Sequence, residues 1–384
     1  MEQTLISVIV PLYHGEKYIS KIVPQIETAK KVAGNLTDIE LIFINDYPDG
    51  KIAEDFAGHE VEIKLFNLKE NRGIHGARVE GLGRSRGEYV LFLDQDDKIL
   101  PEYFSCQLYK IGKCDAVVCK LIHENKQFYD MRMPFESVIN KDYMFSVRNS
   151  IISPGQVLIR KDAISEVWKN ATLSNNGADD WLLWICMMAE GKRFALNNEI
   201  LFEHVVEGNN ASINTNYMIN SEREVFEIVS ENGLLSKDEL NCLSITVKNV
   251  VDEHIKALCK FQKMFFLYNE WMKLQEQDIY ISDYLKQLEY NDIAIYADSY
   301  IGKRLYHNLK KDGLNISFFI DMNAKYLRED IPIYTLDEEL PEVDIIIISL
   351  VEEENSIMER LSYKTEAKVL SITELIRQMK ARIR

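Results

Sequence analysis

The chain has 384 residues, 46% of them hydrophobic and 28% charged, which is ordinary globular composition and enough length for two or three domains. Its 45 basic and 61 acidic residues leave a formal charge of −16, which argues against a nucleic-acid partner but leaves room for local phosphate pockets. Residues 1–7 lack a basic leader, and apolar runs such as 181–189 and 344–351 fall well short of the roughly 18 residues that span a bilayer, so the expectation is a cytoplasmic protein without a signal peptide or transmembrane segment.

In chain order, Leu5–Pro11 reads as a strand, Glu16–Ala33 as an amphipathic helix, Ile39–Asn45 and Glu62–Leu68 as strands, Gly76–Ser85 as a helix and Tyr89–Leu93 as a strand. That alternation predicts a mostly parallel sheet. Residues 101–214 are less regular, with Val157–Ile159 and Phe194–Leu196 as strands and Ala178–Ala189 as a helix. Ser221–Tyr290 contains no proline and one glycine, Gly233, and predicts a helical connector. A second α/β unit follows, with strands at Ile293–Ala297, Ile316–Ile320, Val343–Ser349 and Val369–Ile372 and helices at Tyr300–Lys311 and Thr373–Arg384. The boundaries drawn are 1–215, 216–290 and 291–384. Cys106, Cys114, Cys119, Cys186, Cys242 and Cys259 form no Cys-x-x-Cys pair and read as buried free thiols of a reducing compartment.

The most informative stretch is Gly87–Pro101, GEYVLFLDQDDKILP, where an apolar strand runs into Asp94, Asp96 and Asp97. Clustered carboxylates repel and lose solvation unless a cation joins them. Mg²⁺ or Mn²⁺ accepts such oxygens and keeps positions open for phosphate, so the cluster suggests a metal–diphosphate site. The competing reading is a solvated turn, with Asp97 capping a helix. A second acidic pair, Asp179-Asp180, opens the helix after the loop Ser174–Gly177, which reads as mobile. Both acids suit a helix start as caps.

Five ordered motifs carry a resemblance: VIVPLYHGEKYI, IELIFINDYPDG, NRGIHGARVEG, GEY leading to DQDD, and GADDWLLWICMMAEG. With them, residues 5–215 resemble the family 2 glycosyltransferases. The resemblance implies a GT-A type, mostly parallel nucleotide-binding sheet and an inverting transfer from a nucleotide-sugar, a UDP-sugar by the presence of Asp46. Pro11, Tyr13, Glu16, Asp46, Asn71, Gly73, Arg78, Asp94 and Gln95 would form the donor pocket, with Tyr13 stacking on the base and Arg78 on the diphosphate. Asp94, Asp96 and His204 would hold Mn²⁺ or Mg²⁺. Asp180 would be the base, oriented by Asp179. The implied acceptor is a glycan, lipid-linked or glycoprotein hydroxyl, in bacterial surface polysaccharide or glycoconjugate assembly, which leaves open a peripheral contact with the inner membrane face. Two departures stand out: His14 replaces a common Asn, and Phe202-Glu203 replaces the usual Tyr-Arg.

Residues 291–384 resemble Rossmann-like domains. The glycine fingerprint falls on Ala297, Ser299 and Gly302, so only its last glycine remains. This predicts lost or altered dinucleotide binding and leaves assembly or acceptor presentation as roles, the connector and this unit being natural surfaces for a homo-oligomer. Two other functions compete with sugar transfer. A nicotinamide-dependent oxidoreductase is opposed by the missing glycines, and a non-catalytic sugar-nucleotide scaffold by the acid pair at 179–180.

Overall fold

A computed structural model describes residues 4–53, 55–123, 125–129, 133–206, 214–327 and 330–383. They fall into two compact units, Met1–Ile255 and Lys256–Arg384, divided within one long helix, Lys237–Gln275.

The first unit is built on a nine-stranded sheet. Its strands are β1 (Thr4–Leu12), β2 (Thr37–Asn45), β3 (Glu62–Asn67), β4 (Tyr89–Phe92), β5 (Lys98–Ile99), β6 (Ala116–His123), β7 (Lys126–Gln127), β8 (Val157–Arg160) and β9 (Phe194–His204). The order is β3-β2-β1-β4-β8-β6-β9-β5, with β7 paired to β6. β1 runs parallel to β2 and β4, and β2 parallel to β3. β1, β2 and β4 are almost wholly buried, as their unbroken apolar runs require.

Beyond β4 the sheet is mixed: β8 is antiparallel to β4 and β6, β9 is parallel to β6, and β5 is antiparallel to β9. The sequence reading left β6 unmarked and marked β9 only in part, at Phe194–Leu196 and the strand-like Glu199–Phe202. The β6–β9 pairing explains this, because its register shifts around Lys120. Neither strand therefore keeps a clean two-residue alternation. The helical tract consists of Thr215–Glu231, Lys237–Gln275 and Ile281–Gln287, with Gly233 at φ 62° in the first break.

The second unit holds β10 (Asp292–Tyr296), β11 (Asn315–Ile320), β12 (Ile333–Tyr334), β13 (Ile345–Ile348) and β14 (Lys368–Ser371). All pair in parallel in the order β12-β11-β10-β13-β14. Counted within the unit that is 3-2-1-4-5, the order of doubly wound sheets. Central β13 is four fully buried isoleucines. Of the cysteines, Cys119 and Cys186 are buried and Cys106 and Cys114 half-buried, but Cys242 and Cys259 are exposed on the long helix, which corrects the reading of all six as buried thiols. Among the described residues no helix is long and apolar enough to cross a membrane.

One buried acid stitches the first sheet together. Glu40 on β2 is 0% exposed. It accepts hydrogen bonds from Ser7 Oγ on β1 (2.6 Å), Arg86 N (2.6 Å) and Arg86 Nε (3.0 Å), and Lys64 Nζ on β3 (3.1 Å). Burial pushes its pKa up, and these donors more than offset that, leaving it at about 2 against an ordinary 4.5. A depressed folded-state pKa gives stability that is full above the unfolded value and is lost as pH falls through the folded one. The stability of the wild type should therefore fall between about pH 4.5 and pH 2. In Glu40→Gln this part of the acid dependence should be absent, with unfolding free energy at pH 7 lower by about 2 kcal/mol, as read by urea titration.

Candidate active site

In the parallel half of the sheet, β1, β2 and β4 all end on one edge, Leu12 pairing with Asn45 and β4 lying beside β1. The turns that follow them therefore emerge together, at the edge where open α/β sheets bind ligands. The helix Gly73–Arg84 packs on β1 and β2 through Gly81, where an added Cβ would stand 2.3 Å from Ile9 Cγ2.

That helix carries Arg78 inward, 3% exposed. Its Nη1 donates to Asp179 Oδ2 at 2.6 Å and its Nη2 donates to Asp94 Oδ1. A residue assigned by resemblance to the donor diphosphate thus has both terminal nitrogens on carboxylates. Burial opposes its charge, but Asp179 and Asp94 more than offset this, so it stays a cation. Among the described residues its Nε has no hydrogen-bond partner.

The acidic loop divides by depth. Asp97 is buried and does not cap a helix, since Lys98–Ile99 continue as β5. Its Oδ2 accepts from Ser153 Oγ (2.8 Å) and its Oδ1 from Val205 N (3.0 Å), with His204 Nδ1 at 2.9 Å. His204 stacks on His123, their centroids 5.3 Å apart. Burial lowers the His204 pKa and Asp97 more than restores it, to above the ordinary value. Asp94 is pushed up by burial, against Arg78. Asp96 is half-buried and pushed up to about 7, by burial first and then by Asp97 and Asp94.

The second acid pair divides in the same way. Asp179 is buried on Arg78, and its carbonyl accepts from Trp168 Nε1 at 2.8 Å. Asp180 is half-buried, and its Oδ1 accepts from Trp181 N (2.7 Å) and its Oδ2 from Asn149 Nδ2 (3.2 Å). Burial and then Asp179 push it up to about 7, against Arg78.

On the other side of the Asp94 loop, Tyr13 is 50% exposed. Its ring meets Tyr47 edge-on at 5.6 Å, and His14 lies 3.8 Å from Tyr47. His14 has φ 50°, a left-handed conformation that favours Asn and His over other side chains, which explains the departure from the common Asn. Gln95 is a clasp: Oε1 accepts Tyr13 N–H (3.0 Å) and Nε2 donates to Tyr13 O (3.3 Å). An added Cβ on Gly15 would lie 2.3 Å from Gln95 Oε1. Pro11 is buried in β1, and Glu16 opens the following helix, exposed.

Asp46 is buried and pushed up by burial to about 6, although its Oδ1 accepts Arg72 N–H at 2.7 Å. Asn71 Oδ1 accepts Gly73 N–H at 2.9 Å, and Gly73 takes φ 71°. The loop 174–177, expected to be mobile, is tied at both ends. Asn176 Oδ1 accepts Ile74 N–H (3.0 Å), and Glu224 accepts from Ser174 N (3.1 Å) and Asn175 Nδ2 (3.0 Å).

The structure therefore gathers Asp94, Asp96, Asp97, His204, Arg78, Asp179 and Asp180 into one connected cluster. Sequence reasoning missed Tyr47 as a ring partner, Ser153 and Asn149, which sit in irregular chain and form no motif. Comparison with known proteins bears on this cluster directly. Residues 7–168 match the family model described as Glycosyl transferase family 2. This segment belongs to the family 2 glycosyltransferases.

The chain is 31% identical over 149 residues to a putative glycosyltransferase, EpsH, of Bacillus subtilis, covering 37% of this chain and 40% of that protein. It is 36% identical over 103 residues to EpsJ of the same organism, an uncharacterized glycosyltransferase, covering 26% and 28%. The chain thus spans less than half the length of these curated relatives. Among solved structures, Staphylococcus aureus TarS residues 1–349 in complex with UDP-GlcNAc aligns at 19% identity and TM-score 0.46, covering 63% of this chain and 71% of TarS. The family match ends before Asp179-Asp180. The place of that pair in the cluster rests on the geometry, above all on the Arg78 bridge.

In the second unit, the turn that would face a dinucleotide is filled by the protein's own groups. Ala297, at the first glycine position, takes φ 79°. Ser299 Oγ caps the next helix by accepting Gly302 N–H at 3.0 Å. Asp321, where a ribose-binding acid would stand, accepts Asp298 N–H at 3.0 Å and Asn323 N–H at 2.8 Å. A separate groove of about 1070 Å³ lies in this unit, lined by Phe266, Leu267, Val351 and Ile376 and by Lys263 and Glu353.

Arg78→Lys keeps a cation but cannot fork to two carboxylates. Its unfolding free energy should fall by about 2 to 4 kcal/mol, measured by denaturant titration, because a buried carboxylate loses its partner.

Proposed function

We propose that this chain is a metal-dependent, inverting glycosyltransferase. It moves a sugar from a nucleotide-sugar, a UDP-sugar, to a hydroxyl of a glycan, lipid-linked or glycoprotein acceptor, in bacterial surface polysaccharide or glycoconjugate assembly. The observation that carries this reading is the Arg78 bridge, which ties the acidic loop after β4 to the acid pair that opens the Asp179–Ala189 helix. A donor-binding element and a base must lie on either side of one reacting carbon, and a single buried guanidinium joins them.

The metal fits this cleft. Asp97 and Asp94 crowd Asp96, an excess of negative charge that a divalent cation would offset. Among the described residues no three-donor cage exists. Mg²⁺ and Mn²⁺ sites of this kind take one or two carboxylates and fill the rest with substrate phosphates and water. Asp96 and Asp94 would hold the ion, with His204 fixed by Asp97 as a further ligand. Bound there, the metal supplies charge neutralisation to the departing diphosphate.

The chain's own residues do the rest. Tyr13 and Tyr47 offer rings to the nucleobase, and Gln95 fixes the Tyr13 backbone. The uridine preference comes from the resemblance, through Asp46. Asp180 removes the acceptor hydroxyl proton as that oxygen attacks the anomeric carbon opposite the diphosphate. Asp179 on Arg78 holds the start of its helix in place. A base needs its ionised form, and a carboxyl pushed up to about 7 reaches it only near neutral pH.

UDP release from a panel of UDP-sugars with Mn²⁺ should appear for one donor and rise with the matching acceptor. Chelation should abolish it and added Mn²⁺ or Mg²⁺ restore it. Asp96→Ala and Asp180→Asn should each lower turnover at least ~10²-fold with an unchanged far-ultraviolet spectrum; normal turnover by either refutes its role. In the wild type kcat should rise with pH and level off above about 7, and a flat profile between pH 5 and 9 would count against Asp180.

A further inference from the structure

The acidic loop and the acid pair are joined twice. Arg78 is one bridge. The other is the short segment 149–156, which contains no regular strand or long helix.

At one end of this segment Ser153 Oγ donates to Asp97 Oδ2 at 2.8 Å. At the other Asn149 Nδ2 donates to Asp180 Oδ2 at 3.2 Å. Between them lies a buried polar hub. Gln156 Oε1 accepts Ile152 N–H (2.9 Å) and Ser153 N–H (3.2 Å), while its Nε2 donates to Cys119 O (2.9 Å). Tyr129 OH donates to Ser150 O at 3.0 Å. Every one of these groups is satisfied inside the protein, which makes the segment rigid.

Asn149 itself has one orientation. Its Oδ1 accepts Ile151 N–H at 3.1 Å, so its amide donor is the end that faces Asp180. Asp180 Oδ1 is held by Trp181 N–H, and Asn149 holds the other oxygen. Among the described residues, Asn149 is the one hydrogen-bond donor to Oδ2.

We infer that Asn149 is the positioning residue for the base, the donor that sets the plane of the Asp180 carboxylate toward the acceptor hydroxyl. This rests on the reading of Asp180 as the base.

The test is steady-state UDP release with saturating acceptor. Asn149→Ala should lower kcat about 10- to 100-fold, the scale of a misplaced catalytic group, with donor KM within twofold of wild type. Asn149→Asp keeps the acceptor for Ile151 N–H but turns an oxygen toward Asp180, so it should fold normally and lose at least as much. In Asp180→Asn, adding Asn149→Ala should cost nothing further. Wild-type kcat in either Asn149 variant overturns the inference, as does a multiplicative loss in the double variant. If Asp180→Asn itself keeps turnover, the reading of the base fails, whatever Asn149 does.

Discussion

The Arg78 guanidinium is the constraint on which the first unit's site depends. It lies within the protein with one carboxylate from the loop after β4 and one from the helix Asp179–Ala189. A buried cation without partners costs several kcal/mol, and so does the buried Asp179 carboxylate without its cation. Each therefore fixes the others. Because the partners come from positions 78, 94 and 179, the bridge ties three segments far apart in the chain. The Asp179 carbonyl then takes Trp168 Nε1, and Trp168 packs edge-on to His75 from the Arg78 helix, closing the loop of contacts.

Around this bridge each acidic cluster separates into an inner and an outer member. Asp97 and Asp179 are buried and held by neighbours in the protein. Asp96 and Asp180 are only half-buried and are pushed up to about 7. Pairs of like groups whose surroundings differ in this way are a recurring feature of acid–base sites. The inner acids are held in place by protein groups, and the outer acids are the ones the proposed reaction would use. Polar side chains from irregular chain add to this, Ser153 holding the inner Asp97 and Asn149 the outer Asp180.

The second unit has the strand order of a nucleotide-binding sheet, but the turn at its crevice is closed on itself. Asp321 is bonded to Asp298 N–H and Ser299 to Gly302 N–H, so two of the N–H groups at this turn already have partners in the protein.

Much of this was legible in the sequence. The apolar runs at β1, β2, β4 and β13 read directly as buried strands, because a strand covered on both faces has little choice of residue. The residues DQDD and DD stood out because so many charges cannot be placed at the end of buried elements without a reason. What stayed hidden was non-local. The pairing of β6 with β9 was obscured by a shift of register. The anchoring of the loop 174–177 depends on Glu224, some fifty residues away. Nothing in the pattern around Arg78 says whether it faces a ligand or two carboxylates, nor that Asn149 meets Asp180. Sequence by itself determined which segments must be buried and which carry charge, since those follow from local hydrophobicity and solvation. Only the tertiary structure decided which charges neutralise one another, because that depends on distances between residues the chain keeps far apart.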